Sequence, residues 1–238
     1  MQYVIDHPGN VRSLTLQAPG SPFGFGGTRD AQGTPTWPDF AGSGGGTANP
    51  DFAQRLANQD RTSDQSSPRT VMNTFYFKPP FRVAPDREEI YLTSMLSTKI
   101  HPGNYPGDMV SSPNWPLVAP GTQGVNNALA PKYLHQADFA DMSTQIPVLW
   151  LHGADDQIVS DTSVFDLGFL GQIGAIPGWP GADIYPAQPM KTQVRTVLEQ
   201  YRANGGSYQE VVLSDCGHSP HIEKQDEVLT LFTNFIDR

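Results

Sequence analysis

Between Ile146 and Leu151 the chain reads Ile-Pro-Val-Leu-Trp-Leu, a nearly continuous apolar run that closes on His152-Gly153. A strand with one solvated face alternates apolar and polar residues, so an unbroken run suits a strand buried on both faces, as in a parallel sheet. The rest of the C-terminal part agrees with that reading. Pro189 to Ala203 reads as a helix stopped by Gly205-Gly206, and Tyr208 to Leu213 as a second strand. In the last segment Val228, Leu231, Phe232, Phe235 and Ile236 recur at helical spacing, predicting one apolar helix face packed on a sheet. Alternation of strand, loop and helix is the signature of an α/β layer architecture.

Upstream the signals are weaker. Val11 to Gln17 reads as a short strand running into Ala18-Pro19-Gly20. Gly20 to Thr47 is rich in Gly, Pro, Ser and Thr without a hydrophobic period, which predicts a loop or mobile flap. Three helices are expected next. Asn49-Pro50 opens one over Asp51 to Asn58, and Ser67-Pro68 a second over Arg69 to Phe77. Asp86 with Glu89 resembles a capping box for a third, Arg87 to Thr98. Lys99 to Pro131 carries five prolines from Pro102 to Pro120 and is expected to be loop.

Charge and composition exclude several functions. A formal charge of −9 argues against a nucleic-acid partner, which needs a basic patch to neutralise phosphates. The single cysteine, Cys216, excludes a disulfide framework and a multi-cysteine zinc site. No apolar stretch approaches the ~18 residues of a membrane helix, and Met1 to Pro8 has no signal-peptide pattern. A cytoplasmic protein with no membrane partner is the expectation.

Two loops follow the two strong strands. One is His152-Gly-Ala-Asp-Asp-Gln-Ile-Val159; the other is Ser214-Asp-Cys-Gly-His-Ser-Pro-His221. Functional residues of an open α/β sheet gather beyond the carboxyl ends of its strands. An acid after one strand and a histidine after its neighbour form the pair that a nucleophile needs. The imidazole takes a proton and the carboxylate fixes its tautomer. Together the loops resemble the acid and histidine loops of the α/β-hydrolase family. That resemblance implies Asp156 as the acid, with Asp155 the neighbouring alternative, and His218 as the base; the order acid-then-histidine fits the family. It also implies a division into residues 1–19 (the end of the helix after the nucleophile, then a core strand), 20–135 (an inserted, mainly helical and loop-rich cap) and 136–238 (the C-terminal core). The substrate is expected to be a small and apolar molecule, given the aromatics of the cap, Trp37, Phe40, Phe75, Tyr76, Phe77, Phe81, Tyr105, Trp115 and Tyr133. No cofactor is implied.

The sequence departs from the family in one respect. No Gly-x-Ser-x-Gly, nor its Asp or Cys counterpart, occurs, and Gly42-Ser43-Gly44 has the wrong spacing. The expectation is a C-terminal portion that begins inside a longer protein and lacks the nucleophile-bearing part needed for activity. Loss of a triad nucleophile costs on the order of 10⁶ in kcat, so the chain alone is expected to be inactive. Its strand at 11–17 would have an unpaired edge, which implies marginal stability. The parent reaction would be ester or related acyl hydrolysis, or, with an Asp nucleophile, epoxide or haloalkane opening; a non-catalytic binding module is the competing reading. Cys216 reads as a small buried residue, His152 as a loop-entrance residue, and Gly24-Phe25-Gly26-Gly27 as lacking a phosphate loop's Lys-Ser/Thr. A metal site on His218, His221 and Glu223 is disfavoured by Pro220 and by the lack of further ligands at usual spacing.

Overall fold

The computed structural model describes residues 1–237. Its centre is a three-stranded, wholly parallel sheet of β1 (Leu14–Gln17), β4 (Pro147–Gly153) and β5 (Ser207–Leu213), in the order β1-β4-β5. Leu16 is in register with Trp150, and Trp150 with Glu210. The chain is therefore a mixed α/β protein, as its strand–helix alternation predicts.

The middle strand explains how the core is divided. After Pro147 every residue of β4 is buried, and successive side chains point to opposite faces. Val148 and Trp150 enter one cluster with Leu16, Phe139, Val194, Val197, Leu198 and Tyr201. Leu149 and Leu151 enter the other with Leu213, Cys216, Val228 and Phe235. The first face is covered by α7 (Met190–Ala203) and the second by α9 (Gln225–Ile236). Each large side chain so buried contributes roughly 1.5–3 kcal/mol.

The structure narrows the apolar face expected of α9. Val228, Leu231 and Phe235 pack against the sheet, but Phe232 is 40% and Ile236 50% exposed. Phe232 lies over the edge strand β1, where the packing is open. Phe232 and Leu229 there line a cleft of about 330 Å³ with Thr15, Gln17 and His221. Among the described residues no strand pairs with the other edge of β1.

A short helix, α1 (Gln2–Asp6), precedes β1. Gly20 to Thr47 is irregular, as expected, but it is tied to the core rather than hanging free. Gln188 accepts from Gly26 N and donates to Gly24 O, while Gln193 donates to Thr28 Oγ1 and Asp30 O and accepts from Ser21 Oγ. Both glutamines are fully buried.

Three helices follow. In α2 (Pro50–Ala57) the Asn49 side chain caps Asp51 N and Phe52 N. The next, α3 (Pro68–Val71), is capped by Ser67 and widens into a π-helical turn, Met72–Tyr76. The third, α4 (Pro85–Leu96), starts earlier than Asp86 implies: its N-cap is Ala84 and Pro85 occupies the first turn. Proline's fixed φ suits that position. Glu89 then pairs with Arg61 and Arg69 instead of closing a capping box.

The stretch from Lys99 to Pro131 is a second correction. It holds an antiparallel pair, β2 (Met109–Ser111) with β3 (Val118–Pro120), and a one-turn helix, α5 (Val125–Ala128). Its prolines at 113 and 116 fall in the turn, where no ladder donor is required. Asp108 organises the return by accepting from Thr122 N, Gln123 N and Asn127 Nδ2.

Candidate active site

Both loops leave the same end of the sheet, and their backbones are joined before any side chain is considered. Ala154 N donates to Leu213 O and Asp155 N to Cys216 O, each at 2.9 Å. That approach depends on Gly153. A Cβ there would lie 2.1 Å from Gly217 O and 2.2 Å from Cys216 O.

The joined loops bring Asp156 and His218 together. Asp156 Oδ2 lies 2.9 Å from His218 Nδ1. Its Oδ1 accepts from Ile158 N at 2.8 Å and Val159 N at 3.0 Å, an Asx-type turn that fixes the carboxylate. The Asp156 side chain is wholly buried, whereas that of His218 is 23% exposed. Nδ1 faces the acid, so Nε2 is the nitrogen left for chemistry. Among the described residues no side chain hydrogen-bonds to it.

Asp155, the alternative acid, is engaged elsewhere: its Oδ2 is 3.0 Å from Lys78 Nζ. The same ammonium pairs with Asp215, and the two hydrogen bonds raise the Lys78 pKa while lowering that of Asp215. Cys216 is fully buried, and burial pushes its thiol up to about 12, so it stays protonated at neutral pH and is no nucleophile. His152 lies within β4 rather than after it. It is buried against Trp150 with Nε2 2.9 Å from Glu210 Oε1, away from His218.

The third segment of the site comes from the π-helical turn. Tyr76 sets its ring edge-on to His218, centroids 6.0 Å apart, and Phe75 meets Phe165 of the acid-loop side edge-on at 5.4 Å. Lys78 then lies beside a polar cleft of about 490 Å³ with Pro79, Asp155, Asp156, Gln157, Ser160 and Thr162. Ser43 Oγ donates to Phe40 O. His221 turns to Gln17, 2.6 Å from Nδ1 to Nε2, and Glu223 binds backbone N–H groups. Among the described residues no three His, Cys, Asp or Glu side chains converge as metal ligands, and no helix is long and apolar enough to cross a membrane.

Lys78 escaped sequence reasoning, and Glu223 was considered only as a metal ligand. Lys78 follows an aromatic run far from either loop, and nothing local marks it. Glu223 stands in a sequence-near position after His218, but its use as a backbone acceptor needs the loop's geometry.

No family model matches the chain, and no curated protein matches it. Among solved structures it is similar to carboxylesterase CesB (YbfK) from Bacillus subtilis, with a TM-score of 0.45 and 11% identity over 98% of this chain. The match covers 54% of the esterase, so the chain spans about half its length.

Proposed function

We propose that the chain is the acid- and histidine-bearing part of a hydrolase acting on an ester or related acyl group. The observation that carries this reading is the 2.9 Å contact between buried Asp156 and His218 Nδ1, with Nε2 open. In such a pair His218 Nε2 removes the proton from an attacking hydroxyl as its oxygen adds to the carbonyl carbon. It then returns that proton to the departing alkoxide, and water repeats the cycle to release the acid. Asp156 holds the tautomer and steadies the imidazolium. The aromatic edge of Phe75, Tyr76 and Phe165 favours an apolar acyl or alkyl group, and residues 20–135 act as the cap that presents it.

The nucleophile is the missing component, and in this reading it comes from a further segment of the same fold. The test is esterase activity of the chain with and without the coding sequence upstream of Met1. The chain alone is expected to leave a p-nitrophenyl ester at the background rate. The extended protein should hydrolyse it, and His218→Ala should abolish turnover. An extended protein whose turnover survives His218→Ala would overturn the proposal.

The absence of a Gly-x-Ser-x-Gly motif in the sequence favours one competing reading, a binding module that keeps the fold without the chemistry. An upstream stop codon, with no further segment encoded, would bring that reading forward.

A further inference from the structure

The loop that carries His218 has no helix or strand between Leu213 and Pro220, so the imidazole is only as well placed as the groups that hold this backbone. One carboxylate holds most of it. Glu223, the last residue of α8 (Pro220–Glu223), accepts from Gly217 N at 3.0 Å with each oxygen, and from Ser219 N at 3.2 Å. These N–H groups flank His218 on either side. A third donor, Lys78 N at 2.7 Å, comes from the segment that follows the π-helical turn.

Lys78 is attached twice over. Its backbone reaches Glu223, and its ammonium group lies between Asp155 and Asp215. Asp155 adjoins the acid. Asp215, early in the histidine loop, has a left-handed backbone, φ +56°, a conformation that Asp tolerates better than most residues. One residue outside the sheet thus touches both loops of the pair.

We infer that Glu223 is a positioning residue for His218, and that Lys78 makes the alignment of His218 with Asp156 depend on the placement of the 20–135 segment. The inference rests on reading Asp156 and His218 as the working pair. Displacing Lys78 removes a donor from Glu223 and the cation from Asp155 and Asp215 in one movement. The loop is then free to relax, and the Nδ1 contact to Asp156 loosens. Opening the site and weakening its base would be a single event.

The readout is the His218 Nδ1 proton, followed by NMR in the ¹⁵N-labelled full chain and assigned by its loss in His218→Ala. Asp156→Asn should remove its protection from solvent. Glu223→Gln halves the acceptor capacity, and Lys78→Met keeps the backbone donor and stem but deletes the charge. Glu223→Gln should speed exchange of that proton about tenfold, the weight of a charge-assisted hydrogen bond, and Lys78→Met, whose carboxylate partners are largely exposed, about threefold, in chains that remain folded by circular dichroism. A purely structural role would lower the melting temperature and leave exchange below the transition unchanged. A folded Glu223→Gln chain with the parent exchange rate overturns the inference; if that variant does not fold, the parent rate in Lys78→Met does so. If Asp156→Asn leaves the proton protected, the pair itself is misread. If it removes protection while both clamp variants behave as the parent, only the clamp fails.

Discussion

Gly153, at the end of β4, and Gly217, in the loop after β5, stand backbone to backbone, so close that a methyl group on Gly153 would meet the Gly217 carbonyl oxygen at 2.1 Å. Backbone cannot swing aside as a flexible side chain can. Gly153→Ala should therefore push the two loops apart, costing about 1–3 kcal/mol as other overpacking substitutions do. Urea unfolding measures the cost. The same variant should lose the protected His218 Nδ1 proton even where it is fully folded.

Leu149 and Phe232 are both large and apolar, yet the first is fully buried and the second is 40% exposed. Leu149→Ala should cost about 2–5 kcal/mol. Phe232→Ala should stay within roughly 0.5 kcal/mol, as surface substitutions do. Equal losses in denaturant titrations would contradict the assigned core.

Gln193 joins Ser21, Thr28, Asp30 and Gln188 in one buried network. Gln193→Ala strands several of these groups, each unsatisfied buried partner costing about 1–3 kcal/mol. The expected outcome is local: faster amide exchange and earlier proteolysis between Gly20 and Thr47, beyond any change in global stability. Uniform exchange along the chain would show that the glutamine pair does not pin this segment.

Burial raises the Asp166 carboxyl to about 6, although it caps α6 (Leu167–Gln172) at Phe169 N and accepts from Gln188 N. Its Oδ1 has no partner, and the Tyr185 hydroxyl beside it is itself pushed well up. A carboxyl with a raised folded pKa binds its proton more tightly in the native state. Its contribution to stability is therefore full below the ordinary carboxyl value of 3.8 and is lost as pH rises to about 6. Carboxylates such as Asp39 and Asp108, held low by hydrogen bonds against the opposing effect of burial, work in the other direction at lower pH. The difference between the parent and Asp166→Asn isolates the one group. Across pH 4 to 6 the parent should lose stability relative to the variant, and parallel curves would contradict the raised value.

How much could be read from the sequence depended on whether the information was local. The unbroken apolar run ending at His152 specified a doubly buried strand, and the caps at Asn49 and Ser67 specified helix starts, because each signal lies within one element. The β2–β3 pair went unread since its strands are three residues long and its prolines mask them; the Asp108 contacts that close the open end of the pair join residues far apart in sequence. The exposure of Phe232 was equally hidden, as helical periodicity says which residues share a face but not where the opposing sheet stops. That Asp156 and His218 lie together was legible from the loops, since each follows one of two neighbouring strands. Lys78 was not, because its partners lie far from it in sequence, at positions 155, 215 and 223.

The strict alternation of β4 also determines where this chain tolerates gain or loss of a codon. One residue inserted between Val148 and His152 would exchange the two faces, sending Trp150 toward the Phe235 side and Leu149 toward Tyr201, and would shift every pairing with β1 and β5. The turn at Gly178–Gly181, where an added side chain meets little or nothing, can absorb the same insertion. Length variation in descendants of this sequence should accordingly accumulate there, with residues 148–152 preserved in number even where their identities drift.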